Sequence, residues 1–130
     1  MYRPALIAGV LFALVAVILG AFGAHVLRRL LTADQFYVFS TAVRYHIYHC
    51  FALLSTGILY RFFPYKVLKL ATVFFIIGIT LFCGSLYLMN LLSLIHMSIG
   101  LVGILTPIGG LFFISGWFCM LLAVIKNEVA

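Results

Sequence analysis

Long apolar stretches separated by short polar clusters divide the chain into four segments, at about residues 4–27, 44–60, 65–90 and 98–125. A helix crosses a hydrocarbon core of roughly 30 Å with about 20 mostly apolar residues, so the pattern predicts four spans joined by short turns. Together they form one transmembrane domain over residues 1–130. The first run opens on Pro4, a suitable first helical residue, and stops at Arg28-Arg29. It exceeds the roughly 7–15 apolar residues of a signal-peptide core, so it reads as a retained helix. The second run is preceded by Thr32-Ala33-Asp34-Gln35, the pattern of a capping box, so a helix starts near Thr32 and continues towards Tyr60. That length fits either a tilted span or an interfacial helix over residues 33–43 that turns inward at Arg44. The second reading is preferred, because it keeps the guanidinium near the headgroups. Pro64 closes the next turn, and residues 91–97 form a tight apolar turn before the last helix.

Within each run the small residues recur at helical spacing. Gly9, Ala13, Ala16, Gly20 and Gly23 form a seam with a period near 3.5 on the first helix. Ala71, Gly78 and Ser85 lie seven apart on the third, with Gly84 beside them, and Gly103, Gly109, Gly110 and Gly116 mark the fourth. In lipid, helices associate chiefly through close contact at such residues, which predicts a left-handed four-helix bundle. The same seams would also serve a homo-oligomer or a larger membrane complex. The second helix has a different seam, Ala42, His46, His49, Leu53, Thr56 and Tyr60, which turns both histidines towards the bundle.

Composition sharpens this picture. Only 8% of residues are charged, against roughly 25% in soluble domains, so the partner of most of the surface is the lipid bilayer. The net charge of +6 does not indicate nucleic acid, because the basic residues flank the apolar runs. Arg3, Arg61, Lys66, Lys69 and Lys126 share one side of a four-span chain, whereas Arg28, Arg29 and the nearby Arg44 occupy the other. The positive-inside rule then places both termini in the cytoplasm, with Lys126-Asn127-Glu128 closing the chain. Cys50, Cys83 and Cys119 are odd in number, lie inside apolar runs and read as small buried hydrophobes.

The remaining polar residues fall in the outer half. His25, Arg44, His46, His49, Ser85, Tyr87 and Thr106 form a candidate polar or ligand-binding cluster, since ionisable groups inside a membrane are costly and mark function by default. The alternative is interhelical hydrogen bonding, worth about 0.6 kcal/mol on average. Arg44 would reach the interface or stack on Tyr48, and Pro107 would kink or break the last helix.

Gly20-Ala21-Phe22-Gly23-Ala24-His25, Tyr45-His46-Ile47-Tyr48-His49, Phe82-Cys83-Gly84-Ser85-Leu86-Tyr87 and Thr106-Pro107-Ile108-Gly109-Gly110 with Gly116-Trp117 resemble, in order, the characteristic segments of the YgdD/YwdK-like family of small membrane proteins. The resemblance spans essentially the whole chain. It implies a four-span protein of the bacterial cytoplasmic (inner) membrane, and it implies no reaction. Three functions compete. The first is a non-enzymatic accessory or structural membrane protein, favoured because no nucleophile, carboxylate pair or phosphate loop is visible. The second is a haem- or metal-binding module with His25 and His49 as ligands. The third is transport of a small solute or proton, disfavoured by the lack of acidic residues within the spans. No cofactor follows from the sequence.

Overall fold

A computed structural model describes residues 1–126, and among them every regular element is helical. Four long helices follow one another: α1 (Arg3–Leu30), α2 (Ala33–Leu59), α3 (Lys66–Leu94) and α4 (Val102–Ile125). At 1.5 Å per residue they are about 36–44 Å long, enough to cross a 30 Å core with some tilt. By length and composition α1, α3 and α4 qualify as membrane spans on their own. α2 is long enough, but its histidines, Asp34 and Arg44 make it less apolar.

Local sequence explains the helix ends. Pro4 sits in the first turn of α1. The Thr32 amide donates to Gln35 Oε1 (3.0 Å) and the Gln35 amide to Thr32 Oγ1 (3.3 Å), so the capping box forms and starts α2. From there α2 runs without interruption through Arg44. Residues 33–43 are therefore the first three turns of one continuous helix, with no turn at Arg44. Packing is the reason: Phe39 is buried against α1 and Tyr87, and Ala42 is fully buried, so this stretch already belongs to the bundle. The last turn lies later than expected. The leucine-rich residues 91–94 continue α3, and the reversal falls at 95–101, where His96 and Gly100 take positive φ (54° and 47°). Asn127 and Glu128 lie outside the described residues.

Two π-turns, Gly23–Leu27 in α1 and Ile79–Cys83 in α3, were not expected. Each inserts one residue into the α-helical register and rotates the helix face beyond it. α1 packs chiefly along α2 and α3 along α4, and α2 meets α3 to join the pairs. The core runs through Leu53, Leu68, Phe75, Ile79, Cys83 and Phe113, and a smaller cluster near the Arg28 end holds Leu27, Leu31 and Phe39. The outward faces are apolar, as with Ile7, Val10, Leu14 and Ile18 on α1, which fits contact with lipid and not with water. At the opposite end Tyr2, Tyr60 and Tyr65 meet the basic residues: the Lys69 ammonium stands 5.6 Å from the Tyr2 ring and 5.4 Å from the Tyr60 ring, and that of Lys126 stands 5.2 Å from Tyr65. Such an aromatic and basic girdle suits a membrane–water boundary.

Candidate functional site

The buried stripe of α2 comprises Ala42, His46, His49, Leu53 and Thr56. Its most constrained member is His49. The imidazole lies stacked on Phe113 of α4, with centroids 3.4 Å apart, and is flanked by Phe75 of α3. Its Nδ1 is 2.7 Å from the Tyr45 carbonyl oxygen, and its Nε2 is 3.2 Å from Trp117 Nε1. A carbonyl only accepts and an indole N–H only donates, so Nδ1 must carry the proton and Nε2 must be the acceptor. His49 is thereby held as a neutral Nδ1–H tautomer with both nitrogens occupied.

The other predicted polar residues meet in pairs. His46 Nδ1 lies 3.1 Å from the Tyr87 hydroxyl and joins α2 to α3, with Phe12 of α1 against the edge of its ring. Its Nε2 is the one buried side-chain polar atom without a hydrogen-bond partner among the described residues. Ser85 donates to the Phe82 carbonyl (2.9 Å), so the Thr106 hydroxyl is the donor in the 2.6 Å contact between Thr106 and Ser85. That pair ties the π-turn of α3 to α4.

The single cluster expected from the sequence is therefore not formed. His25 is exposed within the π-turn of α1, away from the aromatic niche that encloses His49, so the proposed pair of ligands is not brought together. Among the described residues no three His, Cys, Asp or Glu side chains gather as a metal site would require. Arg44 is exposed on another face of α2, where it shares with Tyr48 the rim of a groove against α1. Pro107 lies in the second turn of α4, which continues through it, so the helix is not broken there; its missing N–H leaves the Gly103 carbonyl without an i+4 donor. The three cysteines are free and buried.

The glycines divide in the same way. A Cβ on Gly109 would strike the backbone of Phe82, one on Gly78 the Phe113 ring, one on Gly116 the Phe75 ring and one on Gly23 the Phe39 ring. Gly9 admits Leu54, and Gly20 lies against Val43. Gly110 makes only ordinary contact with Phe82, whereas Gly84 and Gly103 face open space and are not packing residues. Sequence reasoning missed Gly57, which seats Leu6 and Tyr2, and it missed the Trp117 partner of His49. The signal for Gly57 was present, one residue beyond Thr56 on the α2 seam. Asn90, buried and bonded to the Leu86 carbonyl (2.9 Å), was assigned only to a helix end.

Comparison with known proteins agrees with this architecture. The family model described as "Protein of unknown function (DUF423)" matches residues 19–110. A UPF0382 membrane protein of Staphylococcus saprophyticus is 38% identical over 121 residues, covering 93% of this chain and 96% of the relative. The UPF0382 membrane protein YwdK of Bacillus subtilis is 35% identical over 126 residues (93% and 95%). The UPF0382 inner membrane protein YgdD of Escherichia coli K12 is 36% identical over 110 residues (85% and 80%). No solved structure matches the chain.

Proposed function

This chain belongs to the DUF423 family, the UPF0382 membrane proteins, and on that premise we propose that it is a non-enzymatic accessory protein of the cytoplasmic membrane. The observation that carries this reading is the saturation of His49. A catalytic base or a ligand needs a free lone pair directed at a substrate or an ion, and the Nε2 lone pair is taken by Trp117. Ser85 and Thr106 satisfy each other in the same manner. These residues act as interhelical connections that fix how α2, α3 and α4 pack, leaving the outer faces for lipid and for a protein partner.

All four helices cross the bilayer in this account, with the Tyr2, Tyr60, Lys69 and Lys126 end in the cytoplasm and the Arg28 end outside. Leu30 and Phe62 are both exposed and lie at opposite ends, so Leu30→Cys reacts with an impermeant maleimide in intact cells and Phe62→Cys reacts only after permeabilisation. The accessory role is tested by crosslinking in native membranes followed by affinity purification of the tagged chain. A partner protein recovered near one-to-one is expected. Recovery of a lone monomer with stoichiometric haem or metal, lost in His49→Ala, would overturn the proposal in favour of the haem- or metal-binding reading.

A further inference from the structure

A groove of about 360 Å³ runs between α1 and α2 on the face away from α3 and α4. Gly20, Gly23 and Ala24 supply no bulk from α1, and Phe36 and Ile47 of α2 form apolar walls. At its rim stands Arg44, with the Ser40 and Tyr48 side chains beside it. Its size lies within the roughly 300–1,000 Å³ of ligand sites.

The position of Arg44 is what needs an occupant. Gly20 of α1 abuts Val43, the neighbour of Arg44, and Gly20 precedes Arg28 by eight residues. At 1.5 Å per residue the Arg44 backbone therefore lies about 12 Å deeper than that of Arg28. A guanidinium at that depth needs a counter-charge or a path to the interface. Asp34, the sole carboxylate among the described residues, lies on the other flank of α2 with Met89, Asn90 and Ser93, so it does not face the groove. Meanwhile the Arg28 guanidinium sits 6.0 Å from the ring of Phe36, which walls the groove towards the headgroups. An apolar slot with one arginine at its rim and a second above it matches an amphipathic anion.

We propose, on the orientation given above, that this groove holds one anionic phospholipid of the outer leaflet, its phosphodiester drawn down beside Ala24 to the Arg44 guanidinium, which reaches outward along α2, and an acyl chain running inward past Gly20 and Ile47. Arginine forks onto phosphate oxygens with two parallel hydrogen bonds, and Arg28 adds a second positive charge at the mouth. A free phosphate ion would leave the apolar slot unfilled. A second copy of this chain, packed through the same face, would bring two arginines together with no acid on that face among the described residues.

The test is retention of lipid by the full-length protein. The chain is reconstituted in vesicles of equal phosphatidylglycerol and phosphatidylcholine, extracted in mild detergent and examined by native mass spectrometry. The wild type retains one phosphatidylglycerol per chain with about fivefold preference over phosphatidylcholine, the factor expected from one arginine near an anionic headgroup. Arg44→Gln abolishes the preference, Arg44→Lys keeps part of it, and Ala24→Phe, which fills the slot from an exposed position, lowers retention of both lipids. Unchanged Trp117 emission confirms that each variant is folded. Equal retention of both lipids by the wild type, undiminished preference in Arg44→Gln, displacement by millimolar inorganic phosphate, or a dimer without bound lipid would each overturn the proposal.

Discussion

Gly109→Ala places a methyl group where α4 meets the π-turn of α3. The new Cβ would lie 2.8 Å from both Cα and Cβ of Phe82 and closer still to its amide nitrogen. Backbone cannot rotate aside as a side chain can, so the helices must separate by about 1 Å to restore carbon contacts of roughly 3.5–4.0 Å. A gap of that order forfeits a quarter to a half of each local dispersion contact, and roughly 30 atom pairs at about 0.15 kcal/mol give a loss of about 1–2 kcal/mol. Separation also stretches the 2.6 Å bond between Thr106 and Ser85, which adds about 0.6–1.7 kcal/mol. Set against the helix preference of alanine over glycine, up to about 1 kcal/mol, the expected net cost is about 1–4 kcal/mol. Gly84→Ala is the internal control: nothing lies within 4 Å of its added Cβ, and alanine favours helix by up to about 1 kcal/mol. Unfolding in mixed micelles against the mole fraction of dodecyl sulfate, followed by the emission of the single tryptophan, measures both. A Gly109→Ala protein within 0.5 kcal/mol of wild type, or an equal loss in Gly84→Ala, would refute the claim that this crossing is set by backbone contact.

Three further outcomes follow from the polar pairs and the burial. His49→Ala loses the stack on Phe113 and the bond from Trp117 and costs about 1–3 kcal/mol in the same titration, whereas His46→Phe loses one bond and removes the unpartnered nitrogen, costing less than about 1 kcal/mol; the reverse order would contradict the assignment. A double-mutant cycle of Ser85→Ala and Thr106→Ala gives a coupling of about 0.6–1.7 kcal/mol, and a coupling near zero would mean that the pair is not formed in lipid. Cys50 and Cys83, exposed by 1% and 0%, remain unlabelled by N-ethylmaleimide in the folded protein and react once dodecyl sulfate unfolds it, which mass spectrometry reads directly.

Much of the architecture was legible because it rests on composition and period. The apolar runs gave the helices, Thr32 and Gln35 gave the start of α2, and the 3.5-residue seam gave the buried faces of His46 and His49. The candidate site was less legible. Spacing along the chain places His25, Arg44 and His49 in the outer half, whereas α2, starting at Ala33, carries Arg44 and His49 at its middle; nor does spacing reveal the direction each takes around its helix once a π-turn has shifted the register. Glycines gave a similar result: periodicity cannot distinguish Gly109, pressed on the Phe82 backbone, from Gly84 or Gly103 with nothing opposite. The partner of His49 was hidden because Trp117 is remote in sequence, and its exposed ring resembles an ordinary lipid-facing aromatic.

Whether His49 is a helix connection and not a ligand can be read from its nitrogen chemical shifts in protein labelled with nitrogen-15 histidine. A neutral ring is expected, with the proton on Nδ1 and a bare, hydrogen-bonded Nε2, the resonance of which moves when Trp117→Phe removes the indole donor. A proton on Nε2, or an Nε2 resonance that is indifferent to Trp117→Phe, would contradict it.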